Sequence, residues 1–155
     1  MDFYDWALAF HLLAAFSVAA ALVLYSVLVL VGRRMDTLEQ TRTLFRVAPV
    51  GGPLIGAGMV VALVLGVVLA IDADAFEIWD PWVIAAIVLW AVFAELGRRT
   101  GAYYTETQKL AESGDGGAES EVLARLRAPT GARLHAANVA VFVLLLLDMI
   151  FKPGA

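Results

Sequence analysis

The chain has 155 residues, 61% of them hydrophobic and 17% charged, with a formal net charge of −4 and no cysteine. That apolar share lies well above the roughly 45–50% of soluble domains, and the missing cysteine excludes disulfides and thiolate-based metal or redox chemistry. The net charge says little about partners, because the charged residues are sorted into separate stretches of the chain.

The lead Met1-Asp2-Phe3-Tyr4-Asp5 is acidic and lacks the positive region of a cleaved signal, so the first apolar run is expected to stay. That run, Trp6 to Gly32, is 27 residues without a formal charge, interrupted by His11, Ser17, Tyr25 and Ser26. As a helix it reaches about 40 Å, more than the hydrocarbon thickness of a bilayer. Arg33-Arg34 closes it, and Asp36-Thr37-Leu38-Glu39 has the acidic form of a capping box that starts a short helix to about Arg46 or extends the first one. Pro49 and Gly51-Gly52-Pro53 then break the chain, with Val47 to Pro53 as an irregular entry to a second span from about Leu54 to Ile71. The connection Asp72 to Asp80 carries four acids and no base, and Pro81 suits the first turn of a third span, about Trp82 to Gly97. From Thr100 to Pro129 the sequence is polar and is divided by Gly114-Asp115-Gly116-Gly117. Helix is expected to run on toward Leu110 before that break and from Glu119 to Ala128 after it. A fourth span, about Leu134 to Phe151, ends at Lys152-Pro153-Gly154.

The expected fold is an all-α antiparallel bundle of four transmembrane helices forming a single domain, with residues 100–129 as a partly helical cytoplasmic loop. Ten of the eleven basic residues fall on one side: Arg33, Arg34, Arg42, Arg46, Arg98, Arg99, Lys109, Arg125, Arg127 and Arg133, against Lys152 alone on the other. The positive-inside rule makes that side cytoplasmic and puts both termini outside. Phe3, Tyr4, Trp6, Trp79 and Trp82 supply an outer aromatic belt, and Tyr103 and Tyr104 an inner one. Bases scattered along the inner interface suit anionic lipid headgroups better than nucleic acid. On the second span Gly52, Gly56, Met59, Leu63, Gly66 and Ala70 share a face, and the Gly52–Gly56 and Gly66–Ala70 pairs allow close helix packing, within the chain or against a second copy or another membrane protein.

Ionisable groups within a span are expensive and so are the candidate sites. His11 sits among Ala7, Ala14, Ala15 and Val18 and reads either as a cofactor ligand near the outer leaflet or as a histidine bonded to a neighbouring backbone group. Met149 lies at the same depth, and a His11–Met149 pair has the donor types for haem or copper. Glu95, His135 and Asn138 share a level near the inner end. A local Glu95–Arg99 ion pair at i,i+4 competes there with an interhelical Glu95–His135–Asn138 cluster. Asp148 with Lys152 reads as an outer-end anchor. His11 and His135 fall about 20–25 Å apart in depth, which excludes both as axial ligands of one haem in a single chain. No phosphate loop, three-histidine zinc site or Ser/His/Asp arrangement is present, so no complete catalytic site can be read.

The opening Trp6-Ala-Leu-Ala-Phe-His11-Leu-Leu, the small-residue second span and the closing Met149-Ile-Phe-Lys152-Pro153-Gly154 resemble a bacterial family of predicted four-helix integral membrane proteins of unknown function. That family is distantly similar to the copper-resistance D-like membrane proteins. The resemblance implies a plasma-membrane protein and, through relatives whose intramembrane histidines serve copper transport or haem binding, a ligand role for His11. The residues themselves favour an accessory or assembly unit. The alternatives are a haem- or copper-linked redox or transport protein using His11, and a small-ion or solute transporter using Glu95 and His135.

Overall fold

A computed structural model of the chain describes residues 2–72, 79–113 and 117–154. Among the described residues six helices follow one another: α1 (Phe3–Gly32), α2 (Leu38–Val47), α3 (Gly51–Asp72), α4 (Pro81–Ser113), α5 (Ala118–Arg127) and α6 (Pro129–Phe151), with a 3₁₀ turn, Ala48–Val50, between α2 and α3. The acidic connection expected between Asp72 and Asp80 lies mostly outside the described residues, as does most of the Gly114–Gly117 break.

The helix ends differ from expectation where a local cap decides. α1 starts at Phe3 rather than Trp6, because the Asp2 carboxylate accepts from the Asp5 N–H (3.0 Å) and the Asp5 carboxylate accepts from the Asp2 N–H (3.2 Å). The cap of α2 is Thr37 rather than Asp36. Thr37 Oγ1 accepts from the Gln40 N–H at 3.3 Å, while the Asp36 N–H donates to Gln40 Oε1 at 3.1 Å. α3 begins at Gly51 and α6 at Pro129, each several residues ahead of the expected start. Pro53 and Pro129 stand in first turns, where the missing N–H is not needed. α4 runs unbroken to Ser113, past the Arg98-Arg99 boundary.

Among the described residues, four helical stretches are long and apolar enough to cross a membrane, and their large side chains point outward. Phe16, Leu13, Val23 and Leu30 on α1, Val60 and Ile71 on α3, and Ile150 on α6 are all exposed, whereas the buried positions of α1 are mainly Ala7, Ala14, Val18 and Ala21. In water this inside-out distribution is untenable, since an apolar patch of such extent drives association. In lipid it costs nothing, and every backbone polar group of a span is satisfied within its helix. The chain is a membrane protein.

The bundle is assembled from two antiparallel pairs, α1 on α3 and α4 on α6. Each pair is spanned at the arginine-bearing end by a short helix that crosses to the other half: α2 touches α4, and α5 touches α1. The order long helix, short helix, long helix thus occurs twice, and the sequence carries the same repetition. Leu24-Tyr25-Ser26-Val27 with Gly32-Arg33-Arg34 matches Leu89-Trp90-Ala91-Val92 with Gly97-Arg98-Arg99. Ala48-Pro49-Val50-Gly51 matches Ala128-Pro129-Thr130-Gly131. The two glycines that follow the prolines do the same work: a Cβ on Gly51 would run into the Tyr25 ring at 2.8 Å, and one on Gly131 into Tyr103 and Tyr104 at 2.7 Å. Two long–short–long helical units therefore pack against each other.

Two clusters hold the halves together. A waist of Val18, Leu22, Phe93 and Phe142, with Met59 packed against it, joins them midway, and Phe93 and Phe142 approach to 5.6 Å between ring centroids. At the arginine-bearing end a second cluster of Phe45, Ala111, Val122 and Leu126 packs α2, α5 and the α4 extension. Polar ties close that end: Arg42 Nε donates to the Ala111 carbonyl (2.8 Å), the Leu38 N–H to Glu119 Oε1 (3.1 Å), and Arg127 to Asp36 Oδ1 (2.7 Å).

Candidate functional site

The waist divides the space between the halves into two cavities, and Met59 and Phe93 line both. Toward the terminal end lies a small apolar chamber of about 100 Å³ walled by His11, Gly66, Ala70, Trp82, Trp90 and Met149 among others. Toward the arginine-bearing end lies a cleft of about 580 Å³, within the range of about 300–1,000 Å³ that holds drug-sized ligands.

The two seams between the halves differ. On one side α1 meets α6, and there Ser26 Oγ and His135 Nε2 are 2.8 Å apart. Ser26 Oγ also lies 2.8 Å from the Leu22 carbonyl. One hydroxyl proton cannot serve both neighbours, so with Ser26 donating to Leu22 the imidazole donates from Nε2 to Ser26. On the other side α3 and α4 meet loosely, and Trp90 Nε1 donates across the seam to the Met59 carbonyl at 3.4 Å. The internal repetition explains the difference: the positions matching Ser26 and His135 in the opposite halves are Ala91 and Ile55, which cannot form a hydrogen bond. The side-chain pair Ser26–His135 thus closes one seam, while the other is crossed by the Trp90–Met59 hydrogen bond.

The cleft wall is hydrocarbon punctuated by a few polar groups. Tyr25 OH donates to the Ala48 carbonyl (3.2 Å) and Thr100 Oγ1 to the Leu96 carbonyl (2.7 Å). Asn138 is buried at 4% exposure, and its Oδ1 has no hydrogen-bond partner. Its Nδ2 faces the open side of Gly97, where a Cβ would sit 3.6 Å away. Gly52 and Gly101 also line the cleft. A Cβ on Gly101 meets nothing within 4 Å, and one on Gly52 meets only the Tyr25 hydroxyl at 3.9 Å.

The residues expected to carry function are placed as follows. Glu95 is held on the bundle exterior by Arg98, through two bonds of 2.7 and 2.8 Å, and by Arg99 at 2.7 Å. It therefore makes no interhelical cluster with His135 and Asn138. His135 turns to Ser26, and Asn138 faces the cleft. The physical reason is reach: both arginines follow Glu95 within one turn and bind its carboxylate without crossing to α6. His11 Nδ1 donates to the Ala62 carbonyl of α3 at 2.9 Å, which leaves Nε2 for the chamber that Met149 also lines. Gly66 makes room for that imidazole, since a Cβ there would lie 3.1 Å from His11 Cε1. Ala70 is buried and Gly52 borders the cleft, but Gly56 faces open space. The tight α1–α3 approach belongs to Gly58, whose Cβ would meet Val18 Cγ2 at 2.8 Å and the Ala14 carbonyl at 3.0 Å. Asp148 is buried with Oδ2 unpartnered, and Lys152 lies over the Trp82 ring, 5.4 Å from its centroid.

A haem does not fit the His11 chamber. A space of about 100 Å³ holds around three waters at roughly 30 Å³ each, far less than a macrocycle. For a metal ion, His11 and Met149 are two donors, and among the described residues no group of three His, Cys, Asp or Glu could hold one. The Ser26–His135 lock and the cleft were missed from sequence. The two Gly-Arg-Arg and two Ala-Pro-x-Gly segments set Ser26 opposite Ala91 and His135 opposite Ile55, but nothing in the sequence pairs Ser26 with His135. No family model, curated protein or solved structure matches this chain.

Proposed function

We propose that this is a multi-pass plasma-membrane protein with both termini outside, acting as a non-catalytic binding unit, an accessory component that holds a lipid-soluble small molecule in the cleft between its two halves. The observation that carries the reading is the cleft of about 580 Å³ between the halves, closed on the α1–α6 seam by Ser26–His135 and bordered on the α3–α4 seam by fewer contacts and the single Trp90–Met59 hydrogen bond. Binding sites in membrane proteins built from repeats recur at the interface between the repeats. Sorting of arginines to the α2–α5 end supports its cytoplasmic placement and contact with anionic headgroups there. A bacterial origin and kinship with the copper-resistance D-like proteins rest on the resemblance at the two ends of the chain. A second reading, a metal-linked role for His11, is favoured by its free Nε2 and by the chamber it shares with Met149. That reading needs further donors, from a partner or a substrate.

The test exploits the cysteine-free sequence. Gly101→Cys places one thiol in the cleft, to be labelled in membranes with a lipid-soluble maleimide. Adding Ile55→His and Ala91→Ser writes the Ser–His pair onto the α3–α4 seam, and the expected outcome is labelling slowed about tenfold or more. Equal rates with and without the second lock overturn the lateral cleft.

A further inference from the structure

Resting on the reading of the cleft as a binding site, we propose that its occupant is an uncharged lipophile carrying a carbonyl group, whose oxygen accepts a hydrogen bond from Asn138 Nδ2. The two ends of this amide are not equivalent. Oδ1 is closed off from the cleft and lacks a donor. Nδ2 faces the cleft, since a Cβ on Gly97, one of the lining residues, would lie 3.6 Å from that nitrogen. Glycine at that position keeps the nitrogen uncovered; an alanine would press a methyl group onto it. A primary amide nitrogen has two protons to give, and among the described residues no group accepts either of them. On a residue that is 4% exposed, an unused N–H is costly, so a site that retains one is matched to a ligand that supplies the acceptor.

The rest of the wall narrows the choice. Tyr25 and Thr100 give their hydroxyl protons to the Ala48 and Leu96 carbonyls, which leaves the Asn138 amide to donate to a ligand. Arg98 borders the cleft, but its guanidinium holds Glu95 through two bonds, and Arg99 holds the same carboxylate. A phosphate head would have to displace that carboxylate, whereas a neutral carbonyl leaves the pair intact. The way in avoids the hydrogen bond that crosses the α3–α4 seam. Pro49, Gly52, Gly101 and Thr105 line the cleft and are exposed, all of them at the start of α3 or on the arginine-bearing stretch of α4. Inward along α4 from this mouth come Gly101, then Gly97 one turn on, then Trp90. The Asn138 amide at Gly97 is therefore reached about 10 Å before the Trp90–Met59 bond.

The experiment uses the full chain, stripped of lipid in mild detergent and titrated by calorimetry or native mass spectrometry. The carbonyl probes are a long-chain alkyl phenyl ketone, a long-chain alkylbenzoquinone and a fatty-acid methyl ester, which separate ketone, quinone and ester sources. Alkylbenzene and alkane of matched length are their carbonyl-free counterparts, with a long-chain alkanol and a phosphatidylglycerol as competitors. Expected are one saturable site for at least one carbonyl probe, binding of its counterpart weakened about fivefold or more, and loss of that difference in Asn138→Leu. With carbon-13 at the carbonyl, the infrared stretch of the bound probe is expected below its position in detergent alone and to return there in Asn138→Leu. That shift is read first on the native chain, so its absence overturns the proposal whether or not the variant folds. Gly101→Leu and Gly52→Leu, at the mouth, are expected to weaken carbonyl probe and counterpart alike. If the two bind the native chain equally while the glycine variants block both, the cleft stands and the carbonyl proposal falls. Tighter binding of the alkanol than of every carbonyl probe, or preference for phosphatidylglycerol over the neutral ester, also overturns the proposal. Absence of saturable binding, or binding that neither glycine variant alters, overturns the cleft reading with it.

Discussion

Ser26 has one proton and two acceptor-capable neighbours, and that shortage defines the lock between the halves. With the hydroxyl given to the Leu22 carbonyl, the imidazole of His135 is left to donate, which fixes its tautomer through a residue 109 positions away in sequence. Removing the hydroxyl strands the His135 N–H in a buried setting. Ser26→Ala is expected to lower stability by about 1–2 kcal/mol, the cost of a lost buried hydrogen bond plus an orphaned partner. Reversible unfolding in mixed micelles measures it, and a change under about 0.3 kcal/mol would show that the bond contributes nothing. Neither member of this pair advertised itself. Ser26 reads as one of four polar interruptions in a span, and His135 as a histidine near the interface able to find solvent. Only their matched depth on helices whose adjacency the sequence does not encode brings them together.

At the scale of the helix, the α1–α3 pair shows what composition conceals. Every glycine in α3 satisfies the requirement for small residues at a lipid-embedded interface, and spacing alone singles out Gly52 and Gly56. The contacts are made by Gly58 against Val18 and Ala14 and by Gly66 against His11, while Gly51 seats against the Tyr25 ring at the start of α3. Gly58→Ala is therefore expected to force α1 and α3 apart against the Ala14 carbonyl and to destabilise by about 1–3 kcal/mol. Gly56→Ala meets open space and is expected to be neutral or to gain up to about 1 kcal/mol from helix propensity. The same unfolding measurement decides, and equal effects at the two positions would refute the assigned face. The spans themselves were legible, since hydropathy reports the solvent directly. Their ends were less so, because Pro53 and Pro129 look like breakers yet begin helices, and Asp2 caps α1 ahead of its apolar run. The repetition of units hid behind unequal spacing: the Gly-Arg-Arg segments stand 65 positions apart and the Ala-Pro-x-Gly segments 80, the difference being taken up by the long extension of α4.

For the molecule as a whole, the duplicated architecture gives each half its own orientation signal. Arg33-Arg34 follows α1 and Arg98-Arg99 lies within α4 at the same end, where α2 and α5 add Arg42, Arg46, Arg125 and Arg127. Orientation depends on the bias summed over short loops near the spans, so no single pair decides it. Neutralising Arg33 and Arg34 alone leaves the second half and both short helices pulling the same way, and the topology is expected to hold. Neutralising both pairs while placing lysines at Phe3 and Trp79 removes the bias near the spans and opposes what is left, so a substantial inverted population is expected. Single cysteines report the outcome, with Glu39→Cys at the α2 end and Tyr4→Cys at the terminal end, each probed in intact cells with a membrane-impermeant maleimide. In the native background Tyr4→Cys is expected to label and Glu39→Cys to stay silent until the membrane is permeabilised. Both sites remain in place when Arg33 and Arg34 are changed, so inversion by that pair alone would mean the first half dictates insertion and the second merely follows. Labelling of Glu39→Cys from outside in the unmodified chain would reverse the placement of the arginine-bearing end, and with it the side of the membrane toward which the larger cleft lies.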